Sequence, residues 1–174
     1  MKKLLGSLAA ALVAFALVSL ASAGANRNFG THLKGAEEVP ARNTQAQGQA
    51  IFRLSKDGTS IKYKLVVANI ENVIASHIHI GAAGTNGPVV VFLAGPFAPG
   101  GGRTDGVLAQ GTITAANLIG PLAGHQFTDL LAAINAGNAY VNVHTDDGVA
   151  PPNTGPGDFP GGEIRGQIGP NESG

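Results

Sequence analysis

The sequence predicts an all-β protein, a sandwich or barrel of about eight short strands with one or two short helices in an insertion. Three observations carry this reading. Glycine (26) and proline (10) are abundant while aromatic residues make up only 5% of the chain, which favours short strands and tight turns over long helices. Apolar and polar residues alternate with period two in one segment after another. The segments recur, separated by turn residues, at the spacing expected of a sandwich or barrel.

At the N-terminus, Met1-Lys2-Lys3, an almost uninterrupted apolar run over residues 4–20, and Ala21-Ser22-Ala23 supply the charged front, apolar middle and small-residue cleavage site of a secretory signal peptide. The run is short and no basic stop-transfer cluster follows it, so a spanning helix is not expected. Cleavage near Ala23, with Ala23-Gly24-Ala25 as a neighbouring site, leaves residues 24–174 as one periplasmic or secreted domain. Its basic residues are scattered and slightly outnumbered by acidic ones. Neither nucleic acid nor, after cleavage, a membrane is an expected partner. The chain has no cysteine, which excludes disulfides, thiolate ligands, thiol nucleophiles and an acylated N-terminal Cys. Packing, or a metal, must supply the stability.

The first strand is expected over Asn28–Lys34. Over residues 49–55, Ala50, Phe52 and Leu54 share one face, which resumes after Lys56-Asp57-Gly58-Thr59 as Ile61, Tyr63, Leu65 and Val67. A two-residue Asp-Gly turn would pair Leu54 with Ile61, Phe52 with Tyr63 and Ala50 with Leu65. The same register sets Arg53 opposite Lys62, a mild electrostatic cost. Further strands are expected over Val73–Ile80, residues 89–93, residues 107–113, Ala139–Thr145 and residues 163–168. Between the strands expected over residues 89–93 and 107–113, Gly95-Pro96-Phe97-Ala98-Pro99-Gly100-Gly101-Gly102 reads as a surface loop. One insertion is helical: Thr128 is expected to N-cap the run 129–136, with Asp129 at the positive end of the dipole, Gly137 in the left-handed C′ position, and Leu130, Leu131 and Ile134 as the buried stripe. Residues 114–118 suggest a shorter turn before it. No internal repeat and no domain boundary is visible.

Three of the expected strands carry an apolar face and a face of groups that coordinate or pair charge. On Val73–Ile80, Ile74, Ser76, Ile78 and Ile80 lie on one side and Ala75, His77 and His79 on the other. On Ala139–Thr145, Val141 and Val143 oppose Tyr140, Asn142 and His144. On 163–168, Ile164 and Ile168 oppose Glu163, Arg165 and Gln167. If the apolar faces share one core, His77, His79 and His144 converge as imidazole ligands of a mononuclear metal site, with Glu163 or Asn142 orienting a ring. Imidazole suits Zn, Cu, Fe and Ni, and three nitrogens leave a position open. The alternative is a hydrogen-bonded polar cluster in which these groups satisfy one another without a metal.

The remaining motifs carry less chemistry. His32 and His125 read as solvated histidines. Glu37-Glu38-Val39-Pro40 reads as a solvated acidic turn, although either carboxylate could contribute to a site. Asp146-Asp147-Gly148 resembles half of a calcium loop but lacks the remaining oxygen ligands at the required spacing, and is expected to be a turn. There is no Gly-x-Ser-x-Gly elbow, Walker loop or HExxH motif.

End to end, the segments Gly35-Ala36-Glu37-Glu38-Val39-Pro40, Asp57-Gly58, Ala75-Ser76-His77-Ile78-His79-Ile80-Gly81, Asn86-Gly87-Pro88-Val89-Val90-Val91, Gly137 to Thr145 and Gly161 to Ile168 resemble the CHRD domain, known from the animal protein chordin and from exported single-domain bacterial proteins. The resemblance spans about residues 29 to 169. It implies an immunoglobulin-like β-sandwich or barrel and no settled activity for bacterial members. A weaker resemblance is to the copper/zinc superoxide dismutases: His77-Ile78-His79, Val143-His144-Thr145-Asp146-Asp147 and Gly162-Glu163-Ile164-Arg165-Gly166 fall in the order of a copper-ligand strand, a later His ligand and a guiding arginine. There is no counterpart of their structural disulfide, zinc loop or bridging histidine. By analogy a three-histidine copper or zinc site follows.

The expectation is therefore an exported binding module with His77, His79 and His144 as metal ligands and Asn142, Glu163 and Arg165 around them. The enzyme alternative is a copper-dependent, dismutase-like redox protein in which Arg165 guides a small anion. The third is a metal-free structural or interaction domain. A protein or small ion is the expected kind of partner, its identity unreadable from the sequence.

Overall fold

The structure is a computed structural model describing residues 27–171; the signal-peptide segment lies outside the described residues. The strands are β1 (Asn28–Lys34), β2 (Gln47–Leu54), β3 (Ser60–Glu71), β4 (Val73–Ile80), β5 (Val89–Ala94), β6 (Arg103–Thr114), β7 (Ala139–Thr145), β8 (Ile164–Gln167) and the two-residue β9 (Gly169–Pro170). A single helix longer than a turn, α1 (Phe127–Asn135), precedes β7 among the described residues. All pairings are antiparallel, in the order β5-β4-β7-β8-β1-β2-β3-β6, with β9 on β1. The edge strands β5 and β6 come together, and the Tyr63 hydroxyl on β3 donates to the Leu93 carbonyl of β5 at 2.7 Å. The sheet is a nearly closed barrel, as its composition and alternation predict.

Alternation fills the interior. Phe29 and Leu33 from β1, Ala50, Phe52 and Leu54 from β2, Ile61 and Leu65 from β3, Ile78 from β4, Val141 and Val143 from β7 and Ile164 from β8 are buried in one cluster. Removing that apolar surface from water is the main favourable term in folding. The β2–β3 register is the expected one, with Leu54 on Ile61, Phe52 on Tyr63 and Ala50 on Leu65. The turn differs: only Gly58 takes a positive φ (72°), while the Asp57 carboxylate accepts hydrogen bonds from the Ser55 hydroxyl and from the Thr59 amide and hydroxyl. The loop therefore spans four residues, closed by the Ser55 amide on the Ser60 carbonyl at 2.8 Å. Arg53 does face Lys62, and nothing in the structure explains the pairing.

Helix α1 begins two residues earlier than expected. Gln126, not Thr128, is the N-cap, and Phe127, Leu130 and Ile134 form the buried stripe while Leu131 is only half-buried. Burial of the Phe127 ring outweighs the side-chain cap that Thr128 would have offered. Gly137 ends the helix at φ 69° as expected.

Candidate metal centre

Strand pairing decides which side chains meet, since residues directly opposite share a face. Strand β4 lies beside β7 with Ala75 on His144, His77 on Asn142 and His79 on Tyr140; β7 lies beside β8 with Asn142 on Arg165 and Tyr140 on Gln167. Because Ile78, Val141, Val143 and Ile164 occupy the interior, all these polar groups stand on the outer face. They are nonetheless buried, with His77 9%, His79 7% and His144 9% exposed. Loops cover them. The Asn86 amide donates to the Val39 carbonyl at 2.8 Å, joining the loop after β4 to the turn after β1. The Arg42 guanidinium donates to the Gly162 carbonyl at 3.3 Å and lies over the Phe159 ring at 4.6 Å, holding down the loop between β7 and β8.

The three imidazoles converge, one ligand nitrogen from each lying within 4.8 Å of the others. Two backbone carbonyls fix the tautomers, because a carbonyl only accepts. His79 Nδ1 donates to the Gly87 carbonyl and His144 Nδ1 to the Pro160 carbonyl, each at 2.9 Å, which puts the lone pair of each ring on Nε2. His77 Nδ1 lies 3.1 Å from His144 Nε2, and the Nε2 atoms of His77 and His79 are buried without a hydrogen-bond partner. Two nitrogens 3.1 Å apart subtend about 95–100° at an ion bound at about 2.0–2.1 Å from each. Burial, reinforced by the other two histidines, pushes His77 down to about 4. Burial takes His144 to about 4 as well, against the raising effect of the Pro160 hydrogen bond, and lowers His79, with the Arg165 charge adding to it. At neutral pH the three rings are uncharged donors.

The other predicted residues have different partners. Glu163 is fully buried and accepts the Thr44 hydroxyl (2.6 Å), the Thr145 hydroxyl (2.7 Å) and the Gly157 amide (2.9 Å), so none of its hydrogen bonds reaches a histidine. Arg165, 1% exposed, donates to the Asn86 side chain and the Ala82 carbonyl and lies 3.4 Å from the centroid of the Tyr140 ring. That ring in turn stacks on His79. The Asn142 amide reaches Glu38 at 3.5 Å rather than a ring nitrogen. Backbone carbonyls orient the rings, a role that no side-chain motif advertises.

Glu38, expected as a solvated turn residue, is 5% exposed and packs over this face. Gly162 makes that possible: at φ 126°, a Cβ there would lie 2.6 Å from the Asn142 side chain and 2.7 Å from Glu38 Oε1. Burial raises the Glu38 carboxyl to about 7, overcoming the attraction of Arg165 and Arg42 and the Asn142 hydrogen bond. Since its folded pKa exceeds the unfolded value of 4.5, this group adds stability below 4.5 that is lost as pH rises through 7. Glu38→Gln is therefore expected to stabilise the protein by about 2–3 kcal/mol at pH 8 and to change little at pH 4, read by urea unfolding at the two pH values. Phe92, half exposed, stands edge-on to His77 with centroids 4.4 Å apart and borders the cluster on the solvent side.

Fold and site together define an exposed-loop β-barrel module carrying three converging histidines on the outside of its sheet, arranged so that they could hold a metal ion. The CHRD domain family model matches residues 29–168, and the chain belongs to the CHRD domain family. No curated protein and no solved structure matches the chain.

Proposed function

We propose that the protein is an exported binding module, mature from about residue 24, whose His77, His79 and His144 take one copper or zinc ion. The observation that carries this reading is the convergence of three neutral imidazoles, one nitrogen from each within 4.8 Å of the others, with His77 Nδ1 3.1 Å from His144 Nε2 and the buried Nε2 of His79 without a hydrogen-bond partner. A buried polar atom without a partner costs roughly 1–3 kcal/mol, and an ion shared with the neighbouring rings would give the Nε2 of His79 its partner. Neutral imidazoles without carboxylate or thiolate donors select borderline metals over calcium or magnesium. His77 Nδ1 donating to His144 Nε2 is the bond the cluster makes without an ion, so metal entry exchanges one hydrogen bond for coordination.

The export reading rests on the N-terminal sequence; among the described residues no helix is long and apolar enough to cross a membrane. A redox enzyme requires an anion to reach the ion. Arg165 is buried and held by Asn86, Ala82 and Tyr140, so binding rather than anion steering is the function favoured here.

Titrating Cu(II) and Zn(II) into the purified protein and into His77→Ala/His79→Ala tests the proposal. One ion per chain is expected for wild type, with affinity at least a hundredfold weaker in the variant. Equal binding by both proteins would remove the site. A superoxide-consumption assay on the copper-loaded protein, expected to give no rate above that of free protein, separates binding from redox catalysis.

A further inference from the structure

We infer that the loop between β7 and β8 holds a second, chemically distinct cation site, in which Asp146, Asp147 and Asp158 bind a hard divalent ion of the calcium class. One carboxylate oxygen from each of the three lies within 4.8 Å of the others. Proximity of acids alone would not make a site, but Asp158 adds an independent observation. It is 2% exposed, and its Oδ1 has no hydrogen-bond partner. Its Oδ2 accepts both the amide and the hydroxyl of Thr154 at 2.8 Å, so the carboxylate is fixed in place while one oxygen stays dehydrated and unpaired. Buried carboxylate oxygens are normally paired or bound to a metal.

The other two residues are prepared in the same way. Asp146 and Asp147 each commit Oδ1 to a backbone amide two residues on, Gly148 at 2.7 Å and Val149 at 2.8 Å, which sets the orientation of each carboxylate. No basic side chain forms an ion pair with any of the three among the described residues. Three mutually repelling carboxylates with no counter-charge leave a cation as the natural partner.

The donor set identifies its class. All three donors are oxygens, with no imidazole or thiolate among them, as hard ions require. Calcium accepts six to eight such oxygens in flexible geometry, whereas magnesium demands a near-ideal octahedron. Backbone carbonyls and water would complete the sphere. In the linear sequence Asp146-Asp147-Gly148 lacks its remaining ligands; the third carboxylate arrives from the later half of the loop.

Such an ion would fasten the start of the loop to its later half. That loop also supplies the Pro160 carbonyl that orients His144, and its Phe159 amide donates to the Thr145 hydroxyl at 3.0 Å. The inference does not depend on the histidines holding a metal, since the two donor sets share no residue.

The test is calorimetric titration of Ca²⁺ into chelator-treated protein, with Tb³⁺ luminescence and melting temperature as parallel readouts. Wild type and His77→Ala/His79→Ala are expected to bind one Ca²⁺ alike and to melt at a higher temperature with it. Asp158→Asn and Asp147→Asn are expected to bind at least tenfold more weakly; Asp147 is not fully buried, so its variant keeps the test sound if Asp158→Asn fails to fold. Absence of Ca²⁺ binding by folded wild type at millimolar concentration would overturn the inference. So would an Asp147→Asn protein that binds as wild type does.

Discussion

Glu163→Ala is expected to lose about 3–5 kcal/mol of stability, enough to leave a domain of ordinary stability close to unfolding. The carboxylate is fully buried and is the common acceptor for Thr44 of the segment before β2, Thr145 at the end of β7 and Gly157 of the covering loop. Alanine leaves three donors without an acceptor and opens a cavity. Glutamine keeps the shape: its oxygen can take the place of Oε2 toward Thr145 and Gly157, and its amide can donate to the Thr44 hydroxyl oxygen. Glu163→Gln should therefore cost only about 1–2 kcal/mol. Urea unfolding of the two variants measures both. A Glu163→Ala protein as stable as wild type would show that this carboxylate does not tie the three segments together.

The second large effect is in pH. His77 and His144 have folded values of about 4, below the ordinary histidine value of 6.5. The unfolded chain therefore binds more protons between these limits, so the stability these rings contribute is present above about 6.5 and is lost as pH falls toward 4. Metal binding follows the folded values. At pH 5.5 a ring of pKa about 4 is about 97% neutral while an ordinary histidine is about 9% neutral, a difference of about a hundredfold for a pair of rings. Copper affinity at pH 5.5 is expected to fall by less than about tenfold from its value at pH 7, where a flexible two-histidine peptide would lose about a hundredfold. Calorimetric titration across this range measures it. An affinity that falls from pH 7 downward like that of the peptide would mean the rings are not dehydrated as described.

Much of the fold can be read from local pattern. Strands β1, β4 and β7 fall at the expected residues because period-two alternation is a local property, and the β2–β3 register follows from matching two apolar faces across a short turn. The face on which His77, His79, Asn142, His144 and Arg165 stand was legible for the same reason. Which strands are neighbours was not, because the β4–β7 pairing joins segments separated by β5, β6 and α1. The least legible features come from the loops. Two adjacent glutamates after a strand look solvated, and only the covering segment with Gly162 buries Glu38. The carbonyls of Gly87 and Pro160 have no side-chain signature, and Asp158 joins Asp146 and Asp147 only when the loop closes. Thr128 failed as an N-cap because a local capping preference yielded to burial of Phe127.

The central claim is that one ion sits among three imidazoles on the outside of the barrel. X-ray absorption on the copper-loaded, calcium-saturated protein tests it most directly. Three imidazole nitrogens at about 2.0 Å, reduced in number in His144→Ala, are the result this account predicts. A coordination sphere of carboxylate oxygens, or one unchanged by loss of His144, would contradict it.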